Sequence, residues 1–330
     1  MSQTHKGFKV IQPGILSLLE DTGRFGHHNI GLTSGGPLDH YSFVWANRLC
    51  GNPDNSCVIE SSMGGLTLES QVDTYIALTG GDAALTINQQ AAVNWQTHPV
   101  KAGDRIALGF AQNNTRHYLA VRGGFQITKM FDSAATVVRE KMGGLVGTAL
   151  QAGDILPCHP SPSLPSEQFQ LDEVYRPNYH GDIVLRVVLG YQQDAFSALQ
   201  KRRFFSSEFI LDERCDRMGF RVTGPEIKAD VNGILSEGIC YGAIQIPPDG
   251  QPIVLLNDRQ TIGGYPKIGA VLSLDIPQLT QRLPGSKVHF EAITIDEAQR
   301  QLHLANYRQR HTTMTQLHPS DKAATQGTAP

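Results

Sequence analysis

The 330-residue chain lacks long apolar runs. Its hydrophobic stretches are mostly roughly four to eight residues, against the ~20 that a spanning helix needs, so no membrane span is expected. It also lacks a charge excess of either sign: Lys+Arg number 28 and Asp+Glu 31, with a net charge of -3. A phosphate-backbone footprint needs a broad basic surface, which disfavours nucleic acid as a partner. Cysteine is scarce and odd in number: Cys50, Cys57, Cys158, Cys215 and Cys240, with no CxxC pair. That excludes a disulfide framework or zinc knuckle and fits a reducing compartment. The opening MSQTHKGFKVIQPG has no signal-peptide apolar core, so the expected location is cytoplasmic. No GxxxxGK[ST] loop occurs near Gly123-Gly124 or Gly143-Gly144, so a nucleotide would not be held by a P-loop. No metal is expected either, because the adjacent His27 and His28, with His40, cannot easily converge on one ion and have no acid or Cys at ligand spacing.

What the chain does contain is punctuation: 33 glycines and 18 prolines among short β-branched and aliphatic runs. This is the pattern of many short strands, and the expected fold class is mainly β with a few short helices. Strands are predicted at 72–79, 105–110, 118–121, 183–189 and 287–293. One helix should start after Asp39, whose carboxylate can cap its free amides, with Tyr41, Val44, Trp45 and Leu49 on one face and Gly51 as its stop. Further helices are expected at 194–204, 276–283 and 296–306. The proline-rich segment 157–165 reads as a linker between an N-terminal domain, 1–160, and a C-terminal domain, 166–306. The apolar-poor tail 307–330 reads as disordered.

The densest polar segment is 236–275. Two predicted strands, 242–247 and 252–256, flank a PPDG turn. Asp258, Arg259, Gln260, Thr261, Tyr265 and Lys267 follow among Gly263, Gly264 and Pro266, with Gln245 on the preceding strand. A guanidinium fork beside an amide and a hydroxyl suits a carboxylate or phosphate, and glycines let a ligand approach the backbone. The bland reading is an Asp-Arg pair holding a turn. Upstream, Thr33-Ser34-Gly35-Gly36-Pro37-Leu38-Asp39 runs into a helix N-terminus, where unpaired amides attract anions. Asp39 would itself occupy those amides, so it reads equally as an N-cap or as an acceptor for a substrate amine or amide. Glu60 and Asp82 stand where an acidic pocket wall could form, or where an acid merely holds turn amides.

Several of these segments resemble one family in order: residues 33–69, Thr79-Gly80-Gly81-Asp82, the run from Tyr118, Asp216 to Ile227, and 236–269. The resemblance, over roughly residues 8–305, is to the allophanate hydrolase subunit 2 family, which includes the C subunit of 5-oxoprolinase, the Kip antagonist and part of the carboxyltransferase region of urea carboxylase. It implies two cyclophilin-like β-barrel domains. It also implies the C subunit of an ATP-dependent 5-oxoprolinase, with ATP and its Mg counter-ion, a B-type (Kip inhibitor-like) subunit and an A-type lactam hydrolase. The alternatives it leaves are a urea or amide carboxyltransferase subunit, or a non-enzymatic antagonist of a kinase inhibitor. No biotin is expected on this chain, since Glu140-Lys141-Met142 sits before a glycine turn. In this reading Asp39, Asp258 and Lys267 are the expected catalytic groups. Ser34, Glu60, Asp82, Gln245, Arg259, Gln260, Thr261 and Tyr265 are expected to bind substrate or nucleotide.

Overall fold

The computed structural model describes residues 6–161, 168–231 and 233–317. The fold is mainly β, as expected, and all five predicted strands are present within a residue or a few of their predicted ends. In the first half, two antiparallel sheets face each other. One runs in the order Ile155–Pro157, Gly7–Pro13, Leu66–Ser70, Arg105–Leu108, Leu85–Ile87, Gln90–Ala92. The other runs Leu16–Glu20, Val58–Ser62, Arg116–Val121, Thr74–Gly80, Thr97–Val100. Strand alternation sorts the side chains. Ile59, Ile76, Leu78, Leu119 and Val121 point into the core between the sheets, while Val58, Ala77, Tyr118 and Ala120 point outward against helix α1, His40–Leu49. That helix starts as predicted, with Asp39 accepting from the Ser42 amide at 3.1 Å.

The second half closes into a seven-stranded barrel: Ile183–Leu189, Lys267–Val271, Ala243–Gln245, Ile253–Leu255, Gly219–Thr223, Phe209–Cys215 and Lys287–Ile293. Its first and last strands pair in parallel and all other neighbours are antiparallel. Phe204, from helix α2 (Ala198–Ser206), stacks on Phe290 at 4.3 Å between centroids and plugs one side of the core. The predicted 194–204 helix is displaced because Ser197 caps at the Gln200 amide, so α2 starts at Ala198. Helix α3 is Ile276–Thr280, shorter than predicted.

Helix α4 spans Ile295–His311 and corrects the expected tail boundary at 307. Thr294 caps it, Asp296 and Glu297 lie in its first turn, and Arg308, Arg310 and His311 in its last, so both ends match the helix dipole. Beyond it, Thr315–Leu317 pairs with Gln168–Gln170, while Met314 packs on Trp45, Trp95 and Leu171. Of the expected linker, Pro157 belongs to an edge strand, and residues 162–165 lie outside the described residues.

The two halves share buried groups. Leu38, from the first half, lies in the barrel core at 0% exposure with Ile276 and Leu279. Asn257 donates to the carbonyls of Gly35 and Pro37 at 3.1 and 3.0 Å, and Thr280 donates to that of Leu38 at 3.0 Å. The chain from Gly35 to Asp39 is therefore a seam. Gly36, at φ +94°, has no room for a side chain, since a Cβ would lie 2.8 Å from the Thr22 carbonyl.

Candidate functional site

Above this seam lies a cavity of about 870 Å³. Its floor comes from the seam and the barrel: Ser34, Gly35, Pro37, Tyr241, Asn257 and Arg259. Phe25, Val174 and Leu274 form apolar walls. Leu302, Ala305, Asn306 and Gln309 of α4 close another side; their spacing of three and four residues puts them on one helical stripe. Arg48 of α1 donates to the Gln309 carbonyl at short range, tying α4 to the first half.

The polar end is built around Arg259. Its Nε donates to the Ile239 carbonyl and its Nη1 to that of Leu256, both at 3.0 Å, and its guanidinium lies 6.0 Å from the Tyr241 ring centroid. Nη2 has no hydrogen-bond partner among the described residues. The side chain is thus fixed in direction with one donor nitrogen to spare. Burial pulls its pKa below the usual arginine value, yet a guanidinium remains a cation at any physiological pH. Beside it, Ser34 Oγ lies 2.9 Å from His28 Nε2. Burial first, and the Arg259 charge second, lower the His28 pKa and favour the neutral ring. Among the described residues no Asp or Glu lines the cavity.

Beneath the seam lies a buried ion network that joins the halves. Arg217 reaches Asp258 through Nε at 3.0 Å, Glu60 through Nη1 at 2.5 Å and the Gly36 carbonyl through Nη2 at 2.6 Å. Glu20 lies 3.4 Å from its Nη2, an ion-pair distance, and accepts from the Gly36 amide at 3.0 Å. Glu60 also accepts from the Leu38 amide and the Tyr118 hydroxyl at 2.9 and 2.8 Å. Burial desolvates Glu20 and, together with the nearby charges of Glu60, Asp258 and Asp21, outweighs the one cation Arg217, pushing its pKa well above the usual carboxylate range. Asp258 moves the same way for the same first reason, burial, despite its contact with Arg217.

The residues expected to form one site do not all meet. Ser34 and Arg259 line the cavity. Asp258 and Glu60 belong to the Arg217 network. Asp39 is fully buried, and its carboxylate accepts from the Ser42 amide and hydroxyl, Tyr179 and Gln281, a set that saturates it as a structural hub. Lys267 starts its barrel strand and is paired with Glu237, which also accepts from Tyr191 and Gln192. Gln245 joins this side: a Cβ on Gly263 would lie 2.7 Å from its Nε2 and 2.6 Å from Ile239 Cδ1, so a side chain there would require both of these side-chain ends to move. Thr261 gives its carbonyl to the Ile239 amide at 3.1 Å, while Gln260 and Tyr265 are exposed. Asp82 stands apart: burial raises its carboxyl, but the amides of Gln112, Asn113 and Asn114 and the Asn113 side chain outweigh that and hold its pKa low. Three groups escaped sequence reasoning as site residues: Arg217, Asn257 and His28. Arg217 and Asn257 lie inside the segments that carry the family resemblance, and His28 was weighed only as a metal ligand.

Residues 30–292 match the carboxyltransferase domain, subdomain A and B. The chain belongs to that family. It is 33% identical over 291 residues to the 5-oxoprolinase C subunit of Escherichia coli, covering 88% of this chain and 92% of that one. It is 34% identical over 282 residues to the Haemophilus influenzae protein of the same name, covering 85% and 89%. The crystal structure of K. lactis urea amidolyase superposes with a TM-score of 0.87 at 25% identity, over 95% of this chain and 20% of that longer one. In family terms, the matched span holds the seam and Arg217 with Glu60 and Asp258, while Glu20 of the network lies outside it. Phe25, His28 and the cavity face of α4 lie outside it.

Proposed function

We propose that this chain is the C subunit of an ATP-dependent 5-oxoprolinase and that it binds the cyclic amide in the cavity over the seam. The observation that carries the reading is Arg259, a buried guanidinium fixed by two carbonyls with one nitrogen left for a ligand. Such a group suits the carboxylate of a small organic acid. Ser34 and His28 offer a hydroxyl and an imidazole beside it for an amide. The likeness to the 5-oxoprolinase C subunits of two bacteria supports the substrate class. Partner subunits of the B type and A type, as part of an ATP-coupled hydrolase, belong to the same proposal. So does a cytoplasmic location, in keeping with five free thiols. Among the described residues no helix is long and apolar enough to cross a membrane.

The cavity does not fit a magnesium nucleotide. Its cations are Arg259 and, at the rim, Arg308, and among the described residues it has no carboxylate for the metal; the Lys267 ammonium is committed to Glu237. No step through ATP is therefore derived on this chain. A second reading, carboxyl transfer to urea or another amide, draws on the likeness to urea amidolyase.

The test is co-expression with the neighbouring B- and A-type proteins and an assay of ATP hydrolysis with and without 5-oxoproline. Stimulation by 5-oxoproline is expected. Arg259→Lys keeps the charge but loses the planar fork, and turnover should fall about tenfold or more. Full activity in that variant would remove Arg259 from the site. Stimulation by urea and bicarbonate with a biotinylated carrier, but not by 5-oxoproline, would favour the second reading.

A further inference from the structure

Ser34 and His28 meet in a geometry that binding alone does not require. Their Oγ and Nε2 atoms are 2.9 Å apart, within reach for proton transfer, and both residues line the cavity. The positions are set by backbone. Ser34 gives its carbonyl to the Arg24 amide at 2.7 Å, and the next residue, Gly35, donates to the Asn257 carbonyl at 3.3 Å. His28 opens a short helical turn, His28–Ile30, closed by the Gly31 amide on its own carbonyl at 3.0 Å. With the ring proton on Nδ1, Nε2 accepts from the Ser34 hydroxyl. The lowered His28 pKa keeps the ring neutral and able to do so. Arg259 is near enough to contribute to that lowering, so its charge also lies near any anion formed at Ser34.

We propose that Ser34 and His28 form a nucleophile–base pair that accepts an acyl group from an activated carboxylic acid derivative. Ser34 Oγ bonds to the acyl carbon as its proton passes to His28 Nε2. The tetrahedral adduct, whose negative oxygen Arg259 offsets, then expels the leaving group, which takes that proton. Water attacks the resulting serine ester, giving its proton to Nε2, and the freed Ser34 oxygen recovers it. The net change is acyl derivative plus water to carboxylic acid plus leaving group, with no further reactant. Cavity volume is no obstacle, since about 870 Å³ lies in the range of roughly 300–1,000 Å³ that encloses drug-sized ligands. The pair goes beyond the oxoprolinase reading, which asks only that the site bind its ligand.

The experiment treats the full-length chain with a fluorophosphonate reagent and follows it by intact mass and peptide mapping. A single adduct on Ser34 is expected, absent from Ser34→Ala. His28→Gln removes the base, and the labelling rate should drop about 100-fold or more. His28 is exposed, so this variant should keep the wild-type melting temperature. No adduct on wild-type Ser34, an adduct elsewhere, or an unchanged rate in folded His28→Gln would each overturn the proposal. Since neither 5-oxoproline nor partner subunits are used, failure here leaves the oxoprolinase reading standing, and failure there leaves this result standing.

Discussion

Arg217 matters more to the architecture than its single charge suggests, because it is the cation that faces Glu20, Glu60 and Asp258 below the seam. Removing one member of a buried ion network leaves the others uncompensated, typically at about 3–5 kcal/mol. Arg217→Met should therefore destabilise the protein by about that much, measured by urea denaturation at pH 7. Glu20 gives the opposite sign. Its folded pKa is raised by burial and by the neighbouring Glu60, Asp258 and Asp21 charges, against the attraction of Arg217. The folded state thus holds this proton more tightly than the unfolded chain, whose glutamate titrates near about 4.3. The stability it contributes is complete below that pH and is lost as pH rises through the raised folded value. Glu20→Gln should flatten that decline and be more stable than wild type at neutral pH, with the Gly36 amide still hydrogen-bonded. A steeper loss of stability with rising pH in the variant would contradict this account.

Among the elements, the Gly35 to Asp39 segment and α4 do most to place the cavity. The first is a short connection whose side chains belong to two cores at once: Leu38 sits among barrel residues, whereas Asp39 caps α1. Leu38→Ala would open a hole in a core contributed mainly by the other half, and the expected loss is about 2–5 kcal/mol. Chemical denaturation checks the stability, and a change in Arg259-dependent turnover would report the shifted seam. The second element, α4, buries little of itself, with Ala298 its one buried residue, and is held by Arg48 and by the Met314 anchor after it. Met314→Ala should lower the melting temperature only slightly, since Met314 is half-buried, while weakening ligand binding in the cavity several-fold. Isothermal titration with 5-oxoproline against the assembled complex separates the two effects; unchanged affinity would mean that α4 is held without this anchor.

At the scale of the whole molecule, the question is whether two bodies behave as one. The shared ion network, the inserted Leu38 and the bonds from Thr280 and Gln281 to the first half are buried, the Asn257 bonds half-buried, and breaking them would expose charged and apolar groups together. One cooperative transition is expected, with near- and far-ultraviolet circular dichroism and calorimetry giving the same midpoint. Two separated transitions would show that the seam contributes little.

Composition and punctuation alone determined that the chain is mainly β, where its principal strands lie and that a helix starts near Asp39, because these follow from local spacing and backbone preference. The multi-segment resemblance pointed to the family. Which polar residues meet was decided only by the tertiary structure. Asp258 and Arg259 are neighbours in the chain, yet one turns down to Arg217 and the other up to the cavity. Lys267, eight residues on, closes a separate cluster with Glu237. Arg217 had no local signature, since a buried ion network exists only once barrel closure and the seam bring distant chain segments within a few ångströms. His28 stands only six residues from Ser34, and the turn between them, rather than the spacing alone, sets its ring beside the hydroxyl. Sequence spacing records neighbours along a strand or helix, whereas charge burial and convergence at a cavity are properties of the packed whole.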